Sequence, residues 1–340
     1  MRLEPPSWWY REDVTLMARL LSPAAALVAA ASRRRFDQSK PYRSSLPVLC
    51  VGNLTVGGAG KTPVALALAG LLQAARRKPG FLTRGFGGHV PEPHQVDASC
   101  DTAAAVGDEA LLLAKMAPTV VARDRAAGAK VLEALGLDLI VMDDGLQNPG
   151  LAKQLSLAVL DPQRLIGNGL VMPAGPLRAD LAEQLRRTHA LVVLCAAREQ
   201  LPDLPPALRA FTGPVLRAEL RADMASAASL NGQRVVAYAG IGRPSKLFET
   251  LRALGADVVA ETPFPDHHPF TVAEADRLLQ QSDAHRAILV TTEKDLARLP
   301  STGRLADLKH ASAALPVTAQ FAGRDFDRLV SMLELLLSRG

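Results

Sequence analysis

Aromatic residues are few. The 340 residues include two Trp, three Tyr and nine Phe, 4% of the chain. Such a chain offers no stacking platform for single-stranded nucleic acid, and no nucleic-acid partner is expected. Cysteine is scarcer still. Cys50, Cys100 and Cys195 form no CxxC pair and are odd in number, which excludes a disulfide framework. They read as reduced cytosolic thiols whose ordinary place is burial. There is no long hydrophobic run. The most apolar stretch, Leu20–Ala31, spans 12 residues and contains Ser22 and Pro23, short of the roughly 20 that a bilayer crossing needs. Positive charge is gathered only at Arg33–Arg34–Arg35, and there is no fixed-period repeat or low-complexity block.

What is present is a large apolar content, 48%, with a net charge of +5 and a pI of about 9.3. The length fits one very large domain or two ordinary ones. The basic balance suits an anionic partner: a nucleotide, a phospholipid surface or a phosphorylated substrate.

The most informative segment is VGNLTVGGAGKTP, Val51–Pro63. Val48, Leu49, Cys50 and Val51 read as a buried parallel strand. Gly57, Gly58 and Gly60 remove side chains from the turn. Lys61–Thr62 then opens the helical run ALALAGLLQAA. A strand, a glycine-rich turn and a helix N-terminus together cradle an anion, because backbone N–H groups and the helix dipole point at it. The expected nucleotide contacts run through Thr55, Val56, Gly57, Gly58, Ala59, Gly60, Lys61 and Thr62. Lys61 reaches the terminal phosphates, and Thr62 is a Mg²⁺ ligand. Thr55 stands where the first glycine of the usual pattern belongs. An ordinary glycine-rich turn is the plain alternative.

A second signal is LDLIVMDDGLQN. An apolar strand ending in an acid is the usual partner of a phosphate loop, since it sets a carboxylate beside the metal. Asp143 and Asp144 occupy that place, and two adjacent carboxylates repel unless a cation lies near them.

Apolar strands alternate with helical patterns along the rest of the chain. Strands are expected at Lys78–Thr83, Thr119–Ala122, Leu137–Met142, Leu155–Leu160 and Ala190–Cys195, with helices at Asp108–Met116 and Arg125–Leu135. After the proline-containing stretch near 202–206 the pattern resumes, with strands at Arg234–Ala239, Asp257–Ala260 and Ala287–Thr291. Helices are expected there at Ser245–Leu254 and Val272–Gln281, and a last one at Phe326–Leu337. The fold class is therefore α/β: a mainly parallel, P-loop-like sheet with helices on both faces, plus a second, smaller α/β domain. Residues 1–35 are expected to form an N-terminal segment, 36–222 the phosphate-loop core and 223–340 the smaller domain, with the final helix free to pack back on the core.

In the N-terminal segment, Trp8, Trp9 and Tyr10 precede an apolar stripe at roughly helical spacing. Ser22–Pro23 reads as a helix start, so two short helices are expected. A cleavable leader is the rival, but Glu4, Glu12 and Asp13 stand before the apolar run. An amphipathic helix lying on a membrane fits better, with indoles in the headgroup layer and Arg33–Arg35 on anionic lipid. Packing of this helix on the protein's own core is the alternative.

VGNLTVGGAGKTP, TRGFGG, VGDEALLLA, VMDDGLQ, PAGPLR, FPDHHPFT and VTTEKD stand in this order between about Trp8 and Asp295. With their spacing, they resemble the tetraacyldisaccharide 4′-kinases of lipid A synthesis. The resemblance implies a P-loop kinase using ATP and Mg²⁺. Its substrate would be the 4′-hydroxyl of a tetraacylated glucosamine disaccharide 1-phosphate, and its place the cytoplasmic face of the inner membrane. It makes Asp108 of GDE the base, oriented by His267 of DHH. Read from the residues themselves, Arg84 of RGFGG is a candidate for a headgroup phosphate, with a plain turn as the alternative. Lys294 of TTEKD, just after a strand, and Arg178 are candidates for a nucleotide or substrate phosphate, with a solvated charged loop as the alternative. Glu109 and Gln147 are further candidates for the substrate side. Ala179–Asp180 follows GPLR where the family shows Glu-Pro, which leaves that carboxylate missing or replaced by Asp180. No obligate protein partner is evident.

Read without the resemblance, Asp108 is equally a helix cap and His267–His268 a turn of solvated imidazoles. Other functions also use such a loop. A membrane-recruited ATPase switch carries a lysine immediately before the two glycines, where Val56 stands here. A GTPase carries N/T-K-x-D, which TEKD at 292–295 resembles superficially. A nucleotide-gated scaffold would need no Asp108–His267 pair.

Overall fold

The computed structural model of the chain describes residues 5–11, 13–196 and 199–338. Glu4 and Glu12, which argued against a cleavable leader, lie outside the described residues.

Strands are numbered along the chain. β1 is Val48–Asn53, β2 Pro79–Thr83, β3 His94–Gln95, β4 Thr119–Val121 and β5 Leu139–Asp143. β6 is Leu155–Leu160, β7 Ala190–Cys195 and β8 Val215–Ala222. β9 is Arg234–Ala239, β10 Asp257–Pro263, β11 Ile288–Thr292, β12 Ser312–Leu315 and β13 Val317–Phe321. Among the described residues nine strands make one sheet, in the order β13-β8-β7-β6-β1-β5-β2-β4-β3, and four make a second, β10-β9-β11-β12. The first sheet is parallel except at its two edges, and the second is parallel throughout.

Strand alternation divides the core of the large sheet. Leu49 and Val51 face one layer, where they meet Val64, Leu68 and Leu72 of the helix Lys61–Ala74. Val48 and Cys50 face the other, with Ala129 and Leu132 of the helix Arg125–Glu133. Both faces are covered by helices, as a buried parallel sheet requires. Leu329, Leu333 and Leu336 of the helix Gly323–Leu337 belong to the first of these layers. The chain thus leaves the large sheet after β8, builds the small sheet, and returns through β13.

β8, β12 and β13 were not expected from the sequence. Arg217, Glu219 and Arg221 interrupt the apolar pattern of β8, yet Glu219 is buried and its charge is matched by Arg221. Alternating polar residues mark an edge region of a sheet, not a loop.

The N-terminal region departs most from expectation. Leu16–Asp37 is one continuous helix of 22 residues, not two short ones. Thr15 caps it, and Pro23 lies inside it. The Ser22 hydroxyl donates to the Ala18 carbonyl at 2.8 Å and so does not cap a new helix. Alanine and leucine on both sides favour helix strongly enough to tolerate the one hydrogen bond that Pro23 deletes. By length and composition the helix is apolar enough to cross a membrane, so the 12-residue measure understated it. Only its small residues Ala18 and Ala25 are buried, while Leu16, Met17, Leu20 and Leu27 are more than half exposed. Trp9 behaves otherwise than expected. It is buried against the core, and its indole N–H donates to the Pro173 carbonyl at 3.2 Å. Of the three cysteines, Cys50 and Cys195 are buried and Cys100 is exposed.

Candidate active site

Register builds the site. β1 pairs in parallel with β5, Val51 opposite Asp143, so the phosphate loop leaving β1 emerges beside the acids that end β5. Gly60 adopts φ +84° and caps the helix Lys61–Ala74; a Cβ there would lie 2.3 Å from Leu194. Glycine is therefore required both for the backbone turn and for the packing behind it. The Asn53 amide donates to the Gly57 carbonyl at 3.2 Å and holds the loop closed. The PAGPLR segment braces it from outside: Val56 N–H donates to the Pro176 carbonyl at 2.9 Å, and Arg178 Nε to the Thr55 carbonyl at 3.0 Å.

Lys61 and Thr62 are buried and face the two acids. The Thr62 hydroxyl donates to Asp143 Oδ2 at 3.1 Å, and Lys61 Nζ lies 3.7 Å from Asp144 Oδ2. Arg178 NH1 donates to Asp144 Oδ1 at 2.8 Å. The two acids are shifted in opposite directions. Burial and the charge of Glu109 push Asp143 up to about 7. Burial pushes Asp144 up too, but Lys61 and Arg178 outweigh it and hold it at about 2. Asp144 takes φ +54°, rare for a side-chain-bearing residue, in the turn that aims its carboxylate at both cations. Asp143 Oδ1 is buried with no hydrogen-bond partner. A buried carboxylate oxygen with nothing to accept, beside a hydroxyl, matches the hard oxygen donors that Mg²⁺ takes. Among the described residues no three His, Cys, Asp or Glu side chains converge on one point. Magnesium in such sites leans on nucleotide phosphates and water for its other ligands.

The second half of the site joins a helix of the large-sheet region to elements of the small sheet. Asp108, 4% exposed, opens the helix Asp108–Ala114, which packs on the helix Glu293–Arg298. Its Oδ2 accepts from His267 Nδ1 at 3.0 Å and from Arg298 Nε at 2.7 Å. Burial raises the Asp108 pKa, but the His267 hydrogen bond and the Arg298 charge hold it far below the ordinary carboxylate range. Glu109 and Lys294 form an adjacent ion pair. Burial works against both charges there, and each partner keeps the other ionised.

Most candidate residues therefore converge on one cleft between the two sheets. Arg84 does not join them and is exposed on the loop after β2. Gln147 is used structurally, donating to the Asn53 carbonyl and to Gln184, both at 2.7 Å. Asp180 caps the helix Leu181–Arg186 through the Glu183 N–H at 3.1 Å, so its carboxylate is spent on the backbone. His268 stacks on Phe264 and bonds Glu274. Asp295 of TEKD is fully buried and accepts from Gly240 N–H and Arg298, leaving no carboxylate to read a base.

Sequence reasoning missed Arg298, Arg243 and Asp161. Arg243, just before the helix Ser245–Ala253, and Lys246, in its first turn, both bond Asp161 just after β6, at 3.1 and 2.6 Å. Beside them Gly242 touches the phosphate loop, and a Cβ there would lie 2.9 Å from Gly58 N. Only one of these residues carried a signal: Asp161 follows the C-terminal end of a parallel strand, where ligands and closing contacts gather.

A parallel sheet with a phosphate loop between a buried lysine and an acid-ended strand defines a P-loop nucleotide-binding α/β protein. The profile described as tetraacyldisaccharide-1-P 4′-kinase matches residues 17–335. The chain belongs to that family. It is 49% identical over 335 residues to the tetraacyldisaccharide 4′-kinase of Rhodospirillum centenum, covering 97% of each chain. It is 48% identical to that of Methylobacterium sp. strain 4-46, covering 98% of each. The fold is similar to that of LpxK from Aquifex aeolicus, a crystal structure described as an "apo" form in complex with ATP. There the TM-score is 0.73 at 24% identity, over 95% of this chain and 100% of that one.

Proposed function

We propose that this chain transfers the γ-phosphoryl group of ATP to the 4′-hydroxyl of a tetraacylated glucosamine disaccharide 1-phosphate. It does so peripherally, at the cytoplasmic face of a bacterial inner membrane. The observation that carries the reading is the meeting, in one cleft, of the phosphate loop, the Asp143–Asp144 acids and the Asp108–His267 pair.

The roles follow from chemistry. The loop N–H groups and Lys61 bind the triphosphate, with Lys61 exchanging Asp144 for phosphate oxygens. Thr62 and Asp143 would hold Mg²⁺, which when bound screens the phosphate charge. Arg178 keeps Asp144 ionised and close to the loop. A sugar hydroxyl is too weak an acid to ionise near neutrality, so a base at its proton lowers the barrier. The Asp108–His267 unit supplies it. Because Asp108 and His267 belong to different sheets, the unit exists only when the cleft is closed, which also keeps water from competing for the phosphoryl group. Glu109 and Lys294 line the approach for an anionic headgroup.

The helix Leu16–Asp37 fits the membrane side of the reading. Its large apolar side chains face outward, and Arg34 and Arg35 stand exposed at its end. Burying one such leucine in an apolar phase is worth about 1.5–3 kcal/mol. The test is pure protein with γ-labelled ATP and the disaccharide 1-phosphate lipid, with and without detergent micelles. Labelled lipid is expected; label released only to water would instead favour an ATPase switch.

A further inference from the structure

We infer that Arg243 is a nucleotide-binding residue supplied by the small sheet: its guanidinium meets the α-phosphate of the nucleotide held in the phosphate loop. This rests on the reading of that loop as the triphosphate site.

The strand order sets the direction of the phosphate chain. β1 lies between β6 and β5 in the large sheet. The acids at the end of β5 stand on one side of the loop, and beyond them stands Asp108, whose helix packs on β4 and β2. The γ-phosphate has to lie on that side, beside Asp143 and within reach of the acceptor. The loop N–H groups take the β-phosphate. The α-phosphate and the nucleoside therefore run the other way, toward β6. Val159 of β6 pairs with Asn53, the last residue of β1, so Asp161 stands two positions further on, level with the start of the loop.

The small sheet reaches this place through the turn after β9. A Cβ on Gly242 would lie 2.9 Å from Gly58 N and 3.3 Å from its Cα, so the backbone of the turn rests against the loop. The next residue, Arg243, donates through NH1 to Asp161 Oδ1 at 3.1 Å and to Gln163 Oε1 at 2.8 Å. Lys246 Nζ donates to Asp161 Oδ2 at 2.6 Å.

The charges in this cluster do not balance. Two cations meet one carboxylate, and among the described residues no second acid lies within ion-pair distance of either. Burial pushes the Asp161 pKa up, but Lys246 and Arg243 outweigh it, so the carboxylate keeps its charge. One positive charge is left in surplus, although the Arg243 side chain is only 14% exposed. A cation held away from water is costly without a counterion. The α-phosphate of a nucleotide carries one negative charge, which matches the surplus. An ion pair needed only to join the two sheets would be complete with Lys246 alone.

Arg243 is the cation with donors to spare. Among the described residues its hydrogen bonds all run through NH1, and its Nε is buried with no partner. A guanidinium presents its N–H groups as a planar fork that fits phosphate oxygens. Asp161 and Gln163 hold this arm in place beforehand, so little side-chain entropy is left to lose when the nucleotide binds.

The test is calorimetric titration of the full chain with ADP and with inorganic pyrophosphate, which fills the loop but brings no nucleoside α-phosphate. Arg243→Gln leaves Asp161 paired with Lys246, so the cluster becomes neutral and circular dichroism should report an intact fold. Its Kd for ADP should rise by about tenfold or more, the worth of a hydrogen bond to a charged group. Its Kd for pyrophosphate should stay at the parent value. Arg243→Lys keeps the charge and loses the fork, so it should recover part of the ADP affinity. The inference is overturned if folded Arg243→Gln binds ADP as the parent does. It is equally overturned if ADP and pyrophosphate weaken by the same factor, which would make Arg243 a brace for the loop. Should Arg243→Gln fail to fold, Arg243→Lys decides in its place: a loss confined to ADP supports the inference, and no loss or an equal loss of both probes overturns it. Failure of the parent to bind either probe counts against the loop as a phosphate site, whereas a parent that binds both and an unaltered Arg243→Gln counts against Arg243 alone.

Discussion

Lys61 and Thr62 each face an acid: Lys61 lies 3.7 Å from Asp144, and the Thr62 hydroxyl sits on Asp143. Contacts of this kind are realised on the nucleotide only as charge moves in the transition state. Lys61→Ala and Thr62→Ala should therefore each lower kcat by about 10²–10³, or roughly 3–4 kcal/mol. Circular dichroism should report an intact fold. Turnover near the parent level in both variants would remove the phosphate-loop assignment. These two residues were legible because the loop lies in one stretch of chain, where spacing alone sets geometry. Arg178 was legible only as a loose candidate. That its guanidinium closes on Asp144 depends on PAGPLR folding back beside the loop.

The N-terminal helix shows where element-level reading succeeds and where it fails. Amphipathic spacing was visible, but one helix formed where Ser22–Pro23 suggested two. Trp9, expected in lipid, became the peg that ties the segment to the core. The two ends should therefore respond differently to substitution. Leu20→Glu with Leu27→Glu should weaken sedimentation with anionic vesicles and leave ATP binding intact, since both side chains face outward. Added salt should weaken the parent's binding as well, because attraction between arginines and a charged surface is screened beyond about 8 Å at physiological ionic strength. Trp9→Ala should act on stability instead, lowering it by about 3 kcal/mol in denaturant titration. Vesicle binding unchanged by the double charge insertion would argue against the outward face as the membrane contact.

At the scale of the whole molecule, the cleft depends on how the small sheet seats on the large one. Gly242 lies against the phosphate loop, and a methyl group there would press on the Gly58 backbone, which has no flexible end to give. Gly242→Ala should raise KM for ATP and lower kcat together, with a larger radius in small-angle scattering; an unchanged radius and unchanged kinetics would mean the contact is incidental. Asp161 seats the same interface with Arg243 and Lys246. Burial pushes its pKa up, but Lys246 and Arg243 outweigh burial and depress it. A depressed folded pKa contributes stability above the unfolded value near 3.9, and that contribution is lost as pH falls through the folded value. Asp161→Asn should accordingly lower Tm at neutral pH, by an amount equivalent to about 2–4 kcal/mol. The gap to the parent should close as the pH drops below about 4. A gap that persists undiminished in acid would mean the aspartate acts through shape and not charge.

The sequence by itself determined the local units: the strand, glycine turn and helix of the phosphate loop, the acid-ended β5, and the alternation that builds a parallel sheet covered on both faces. Those units are encoded by periods of two and 3.6 residues and by glycines at fixed places, all within a few positions of one another. Apart from Asp108–His267, which the family resemblance implied, the tertiary structure alone decided the pairings across the cleft. Asp108 and Arg298 are 190 positions apart, and Asp161 and Arg243 are 82 apart. No spacing rule links residues so distant. Which guanidinium reaches which carboxylate follows from how two helices and two sheets pack, and packing is a property of the whole chain folded at once.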